Sequence, residues 1–104
     1  MTNAEIGQML RETGLPVFYD HGKVGTELPY ITYTTASDNF FADNRTYQKV
    51  YDLRVVLYTS TKRPDLEELL EAVFDSHDIS WNRDEVYENT EEVFQEIYES
   101  EVFG

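Results

Sequence analysis

Alternation of apolar and polar residues marks two candidate β-strands in the first half of the chain. The segment Tyr30–Thr35 is built of β-branched and aromatic residues, which is typical of a strand. The segment Thr46–Thr59 is longer, and every second residue from Tyr47 onward belongs to a mostly apolar face that should point towards a core. Its opposite face is half polar, but Val50, Val56 and Tyr58 there indicate a second contact surface, as in a sheet covered on both sides.

Two other segments follow the period of a helix. A Thr-x-x-Glu capping box at Thr2 and a glycine suited to a left-handed helix end, Gly14, predict a helix over about Asn3–Thr13. Pro64 suits the first turn of a second helix, predicted over Asp65–His77. The apolar stripe of this second helix consists of Leu66, Leu69, Leu70, Val73 and Phe74.

The remaining segments complete an α+β plan. Leu15–Tyr19 should be extended after the first helix, and Ile79–Tyr87 should form a strand followed by a turn at Glu88–Thr90. The periodicity of Val93–Val102 fits either a helix or a strand. The order α-β-β-α-β-β predicts a single domain, residues 1–104, with an antiparallel sheet of about four strands and two helices packed on it.

A polar loop, Ser37–Asn44, separates the first two strand candidates and carries two adjacent phenylalanines. Asx and Ser side chains build turns by bonding to their own backbone, whereas phenylalanine has no such role and needs an apolar partner. That partner is either the protein's own core or another chain, because exposed aromatic residues mark interfaces. We therefore predict an interface here. Its residues are Ser37, Asp38, Asn39, Phe40, Phe41, Asp43, Asn44, Arg45 and Tyr47.

The charge is strongly negative and unevenly distributed. The net charge is −13, and residues 64–104 carry one basic and fourteen acidic side chains. Residues 45–63 have the opposite balance, with five basic side chains and one acidic. General binding of nucleic acid is not expected, because counterion release requires lysine and arginine. Most of the acidic residues are expected on a solvated face.

Few residues indicate catalysis or the binding of a metal or cofactor. There is no cysteine, and neither His21 nor His77 belongs to a known catalytic order, so an enzyme is not expected. The Asp and Asn residues of the loop lack the glycine and closing glutamate of a calcium loop, so we expect no metal and no cofactor. No membrane span and no signal-peptide layout is evident, which makes a cytoplasm the expected compartment.

Several short segments in a fixed order carry a resemblance. They are Gly14-Leu15-Pro16-Val17, Pro29-Tyr30-Ile31, Ser37-Asp38-Asn39-Phe40, Ala42-Asp43-Asn44 and Leu57-Tyr58-Thr59. This set, together with the acidic helix that follows, resembles tail completion, tail terminator or head–tail joining proteins of long-tailed bacteriophages and Gram-positive prophages. The resemblance extends over nearly the whole chain and favours a strand for Val93–Val102.

The resemblance implies a structural role in a virion that is assembled in the bacterial host cytoplasm. The expected partners are further copies in a ring, usually of six, and the tail-tube and head–tail connector proteins; no specific nucleic acid and no membrane are expected. An acidic lumen would let DNA pass without sticking. Five basic residues could meet the acidic region of a neighbour in the ring: Arg45, Lys49, Arg54, Lys62 and Arg63.

A second hypothesis fits the charge alone. A small acidic protein can mimic DNA and inhibit a nucleic-acid enzyme by spacing carboxylates like phosphates. Such a decoy does not need the eight tyrosines of this chain or its two loop phenylalanines.

Overall fold

The computed structural model describes residues 2–22, 27–38 and 50–103. The helices are α1, Asn3–Leu10, which continues as a 3-10 turn over Arg11–Thr13, and α2, Pro64–Ser76. The strands are β1, Val17–Tyr19; β2, Tyr30–Asp38; β3, Val50–Thr59; β4, Asn82–Glu88; and β5, Val93–Phe103. Among the described residues, no helix is long and apolar enough to cross a membrane.

The five strands form one mixed sheet in the order β1-β2-β3-β5-β4. The predicted α+β class is confirmed, and the ambiguous segment at the end of the chain is the strand β5, which lies between β3 and β4. The predicted strand count is corrected from about four to five. The extra strand is β1, a short extended segment that pairs in parallel with β2 while all other pairs are antiparallel.

Backbone hydrogen bonds explain the added strand. The amide of Ile31 donates to the carbonyl of Pro16, and the amide of Asp20 donates to the carbonyl of Tyr33, both at 2.8 Å. Proline lacks an amide hydrogen but keeps its carbonyl acceptor, so Pro16 ends the first helical segment and still joins the sheet.

The strand β2 extends two residues into the predicted loop. Ser37 and Asp38 lie in β2, where they pair with Tyr51 and Val50 of β3. Their polar side chains favour a turn, but the β ladder is built from backbone groups and continues because β3 provides a partner. Residues 39–49, which include the rest of the predicted loop, lie outside the described residues.

Both helices pack on one face of the sheet. Their buried apolar residues meet the apolar face of β3 that the alternation predicted. The helices contribute Ile6, Met9, Leu10, Leu70, Val73 and Phe74, and the strands contribute mainly Ile31, Leu53, Val55, Leu57 and Tyr98. This layer forms the core of the described structure.

The other face of the sheet carries no helix within residues 2–22, 27–38 and 50–103. Val56 and Ile97 pair across β3 and β5 there and are only 7% and 8% exposed. Aromatic rings surround them: Phe18 meets Tyr30 edge to face, and Tyr30 stacks on Tyr58 with ring centroids 4.8 Å apart. Val56 is therefore almost fully buried on this face, and the second contact surface predicted there stays a prediction.

Candidate functional site

The predicted interface is described only at its first two residues. Ser37 and Asp38 lie at the end of β2, where the hairpin towards β3 begins. The remaining residues of the predicted interface lie outside the described ranges: Asn39, Phe40, Phe41, Asp43, Asn44, Arg45 and Tyr47. This interface therefore stays a prediction.

The described structure contains a different concentration of functional groups, between α2 and the strands β4 and β5. We call it the charge cluster, and it combines two basic with four acidic side chains. Its members are Lys62 from the turn before α2, Glu67 and Glu71 from α2, Arg83 and Glu85 from β4, and Glu96 from β5. Three separate elements are thus joined by side-chain ion pairs.

Lys62 lies between three carboxylates. Its Nζ is 3.0 Å from Oε2 of Glu67 and 3.2 Å from Oε1 of Glu96, and it also contacts Glu85. The lysine side chain is 43% exposed, so its ammonium enters the cluster from the protein surface. These contacts raise the pKa of Lys62, first through its hydrogen bond to Glu85.

Arg83 connects the edge strand to the helix. Its Nη1 donates to Oε1 of Glu67 at 2.8 Å and to Oε2 of Glu71 at 2.9 Å. The hydroxyl of Tyr98 donates to the same oxygen of Glu71 at 2.8 Å. Burial, followed by this bond to Glu71, raises the pKa of Tyr98.

Two carboxylates of the charge cluster are removed from water. Glu67 is 2% exposed and Glu96 is 1% exposed. One oxygen of each, Oε2, has no hydrogen-bond partner in the described structure. Oε2 of Glu67 nevertheless lies 3.0 Å from Nζ of Lys62, whereas Oε2 of Glu96 lies 4.0 Å from Nε of Arg83. Burying a charged group costs several kcal/mol unless it is paired and hydrogen-bonded, so Glu96 is the less well compensated of the two.

The environment of Glu96 favours its protonated form. Burial, together with the hydrogen bond to Glu85, raises the pKa of Glu96 to about 7. The same contact with Glu96, and then that with Lys62, lowers the pKa of Glu85. Glu85 and Glu96 are direct partners across the antiparallel pair β4–β5, which places two carboxyl groups with opposite pKa shifts beside each other.

The charge cluster is better suited to connecting α2 with β4 and β5 than to binding a ligand. Oxygens of Glu67, Glu85 and Glu96 lie within 4.8 Å of one another, a spacing that could hold a metal ion. The ammonium of Lys62 already contacts all three of these carboxylates. The geometry is therefore that of an internal ion-pair network.

Sequence patterns did not reveal this network. The position of Glu67 in the first turn of α2 suits the helix dipole, and it was expected on a solvated face. Lys62 and Arg63 were expected to meet a neighbouring subunit, but Lys62 is used internally and Arg63 pairs with Asp65 at 2.9 Å. The available signal was Arg83, the one basic residue among the fourteen acidic residues of 64–104.

The two histidines lie apart from the charge cluster. His21 is exposed in the connection after β1, beside Asp20. His77 caps the end of α2, and its Nε2 is 3.0 Å from Oε2 of Glu12 at the start of the chain.

Comparison with known proteins finds a similarity of fold. No family model matches the chain, and no curated protein matches it. Among solved structures, the fold is similar to a chain in the virion of a native gene transfer agent particle, with a TM-score of 0.57. The match covers 91% of this chain and 84% of that chain at 15% sequence identity, so it shows a shared fold.

Proposed function

We propose that this protein is a structural component of a bacteriophage or prophage virion that acts in tail completion or head–tail joining. The observation that carries the proposal is the shared fold with a virion chain over 91% of this sequence. The resemblance of the ordered sequence segments to tail completion proteins supports the same role independently. The protein acts by assembly rather than catalysis, since the charge cluster offers ion pairing and no activated nucleophile.

In this role the protein forms a ring with further copies of itself, six in the form that the resemblance implies. A closed ring needs a heterologous interface, in which one patch of a subunit meets a different patch of the next. We assign one patch to the segment from Ser37 to Tyr47, where Phe40 and Phe41 supply apolar anchors. The other partners are the tail-tube and head–tail connector proteins of the same virion.

Some of the basic residues that were expected to contact a neighbouring subunit form ion pairs within the same subunit. Lys62 and Arg83 are held within the charge cluster, and Arg63 is paired with Asp65. The other basic residues expected to meet a neighbour are Arg45, Lys49 and Arg54, and of these Arg45 belongs to the predicted interface.

The test combines mass measurement with a double substitution. Light scattering over a wide concentration range, followed by negative-stain electron microscopy, should show a discrete ring or a monomer that converts to one. Phe40→Ala combined with Phe41→Ala should abolish this assembly while circular dichroism and the unfolding midpoint remain unchanged.

A matched control replaces two exposed apolar residues elsewhere. Leu69→Ala with Val86→Ala alters side chains that are 40% and 44% exposed, and it should leave assembly intact. If the phenylalanine variant assembles normally, the interface assignment is wrong. If the unaltered protein is monomeric at all concentrations and shows no rings, the ring-forming role is contradicted.

The DNA-mimic alternative receives less support from the structure. A mimic needs its carboxylates at the surface, but Glu67 and Glu96 are turned inward and Glu71 and Glu85 are engaged by Arg83 and Lys62. The acidic half of the chain therefore uses part of its charge to hold its own fold together.

A further inference from the structure

The strand β4 is the edge of the sheet, and two attachments hold it. On one side it forms a backbone ladder with β5, from Asn82 opposite Glu99 to Glu88 opposite Val93. On the side of β4 that faces the helices, Arg83 forms ion pairs with α2, and Glu85 forms an ion pair with Lys62 in the turn before α2. All residues of β4 up to Tyr87 are exposed, so little apolar burial contributes to holding it.

The charges in the cluster are not balanced. Four carboxyl groups face two cations, so the cluster carries −1 with one proton bound and −2 without it. Two of these carboxyl groups, those of Glu85 and Glu96, stand directly opposite each other on β4 and β5, with oxygens within 4.8 Å of each other. Like charges directly opposite each other on neighbouring strands are destabilising.

We propose that the charge cluster is a proton-operated latch on β4, closed while the Glu85–Glu96 pair holds a proton and loosened when that proton leaves. The proton lets Glu96 donate a hydrogen bond to the carboxylate of Glu85, which joins β5 to β4 through their side chains. Without the proton, the two carboxylates repel each other across the ladder, and one of them is 1% exposed.

Among the described residues, the charged and titratable groups that face Glu96 lie on α2, β4 and β5 and in the turn before α2, and none of them replaces the proton. Lys62 is already shared among three carboxylates, and Arg83 bonds directly to the two carboxylates of α2. The groups that face Glu96 are Lys62 from the turn before α2, Glu67 and Glu71 from α2, Arg83 and Glu85 from β4, and Tyr98 from β5 itself.

The direction of the pH effect follows from the linkage between proton binding and the closure of β4. Glu96 binds its proton more tightly in the closed state, with a pKa of about 7, than in an open state where it approaches its ordinary value of 4.5. The contribution of Glu96 to closure therefore weakens as the pH rises from about 4.5 towards 7 and changes no further above it. Glu85, whose pKa is lowered, acts in the opposite sense, but only below its ordinary value of 4.5. Opening β4 would uncover the edge of β5, whose backbone groups could then pair with another strand.

The experiment measures amide hydrogen exchange in residues 82–88 from about pH 5 to about pH 8, corrected for intrinsic exchange. In the unaltered protein, protection of these amides should fall by about 10- to 100-fold between pH 5 and pH 7 and then level off. In Glu96→Gln, which keeps the shape and a hydrogen-bond donor but cannot ionise, protection should stay nearly constant.

Glu99→Gln is the matched control, because Glu99 lies on the same strand but is exposed. It should reproduce the pH dependence of the unaltered protein. If protection of residues 82–88 is flat in the unaltered protein, or falls equally in Glu96→Gln, the latch does not exist.

A second variant keeps the proposal testable if Glu96→Gln does not fold. Glu85→Gln removes the opposing charge and should shift the titration of the Glu96 carboxyl carbon, followed by NMR, to lower pH. If that carbon titrates at the same pH in both proteins, the two carboxyl groups do not share a proton and the proposal is overturned. None of these outcomes depends on ring formation, so the latch and the proposed function can fail separately.

Discussion

At the scale of single residues, Lys62 is the side chain on which most contacts of the charge cluster converge. Its ammonium is the one cationic group within 3.2 Å of both Glu67 and Glu96, the two acidic residues buried in the described structure. Removing one partner of a buried charge pair costs more than the pair contributes, because the remaining charge stays buried without compensation. The lysine is therefore a structural requirement of this fold.

Replacing Lys62 by methionine should destabilise the protein by about 1–3 kcal/mol, the penalty for a buried charged group that loses its partner. Methionine retains most of the apolar part of the lysine side chain, so the loss of stability measures the contribution of the ammonium group. Urea unfolding at neutral pH measures the effect.

The matched control is Arg63→Met, because Arg63 pairs with Asp65 at the surface. Surface ion pairs contribute little, so this variant should unfold at nearly the same urea concentration as the unaltered protein. Equal destabilisation by both substitutions would mean that the buried carboxylates do not depend on Lys62.

At the scale of elements, the end of the first helical segment depends on one backbone conformation. The capping box begins α1 through Thr2 and Glu5, and Gly14 ends the 3-10 turn with a φ of 82°. This left-handed conformation disfavours residues with a Cβ. The turn lets the chain enter β1 three residues later, so the glycine links α1 to the edge of the sheet.

Gly14→Ala should destabilise the protein by about 1 kcal/mol through backbone strain alone. A Cβ at this position would meet no atom within 4 Å, so steric overlap is not involved. Gly14→Asn should cost less, since asparagine tolerates the left-handed region. Thermal unfolding of the two variants provides the measurement, and equal loss in both would show that conformation is not the cause.

Sequence patterns predicted those elements whose signals are local. The capping box, Gly14 and the apolar stripe after Pro64 depend on neighbouring residues, and both helices agree with the prediction within a few residues. The strand β1 was predicted only as extended, because its parallel partner is not adjacent in sequence. The charge cluster could not be predicted, since its members span residues 62 to 96 and meet only after the sheet has formed.

At the scale of the whole molecule, the net charge of −13 causes electrostatic repulsion that lowers the stability of the folded state. Salt screens charges at the surface, whereas buried and partly buried pairs such as those of Glu67 are screened much less. We therefore expect the free energy of unfolding to rise from low to moderate ionic strength, as measured by urea unfolding at several sodium chloride concentrations. A flat or falling dependence would show that attractive surface pairs outweigh the general repulsion.

The central position of β5 has a consequence for how the protein is made. Residues 93–103 are synthesised after the other described elements, yet they fill the gap between β3 and β4, with Val50 paired to Phe103 and Thr59 to Phe94. Until these residues leave the ribosome, β3 has an open edge and β4 has no partner in the sheet. Such edges pair readily with other chains. A ribosome stalled before residue 93 would therefore hold a nascent chain whose helices can form but whose sheet cannot close, and chaperone binding should be concentrated in that interval.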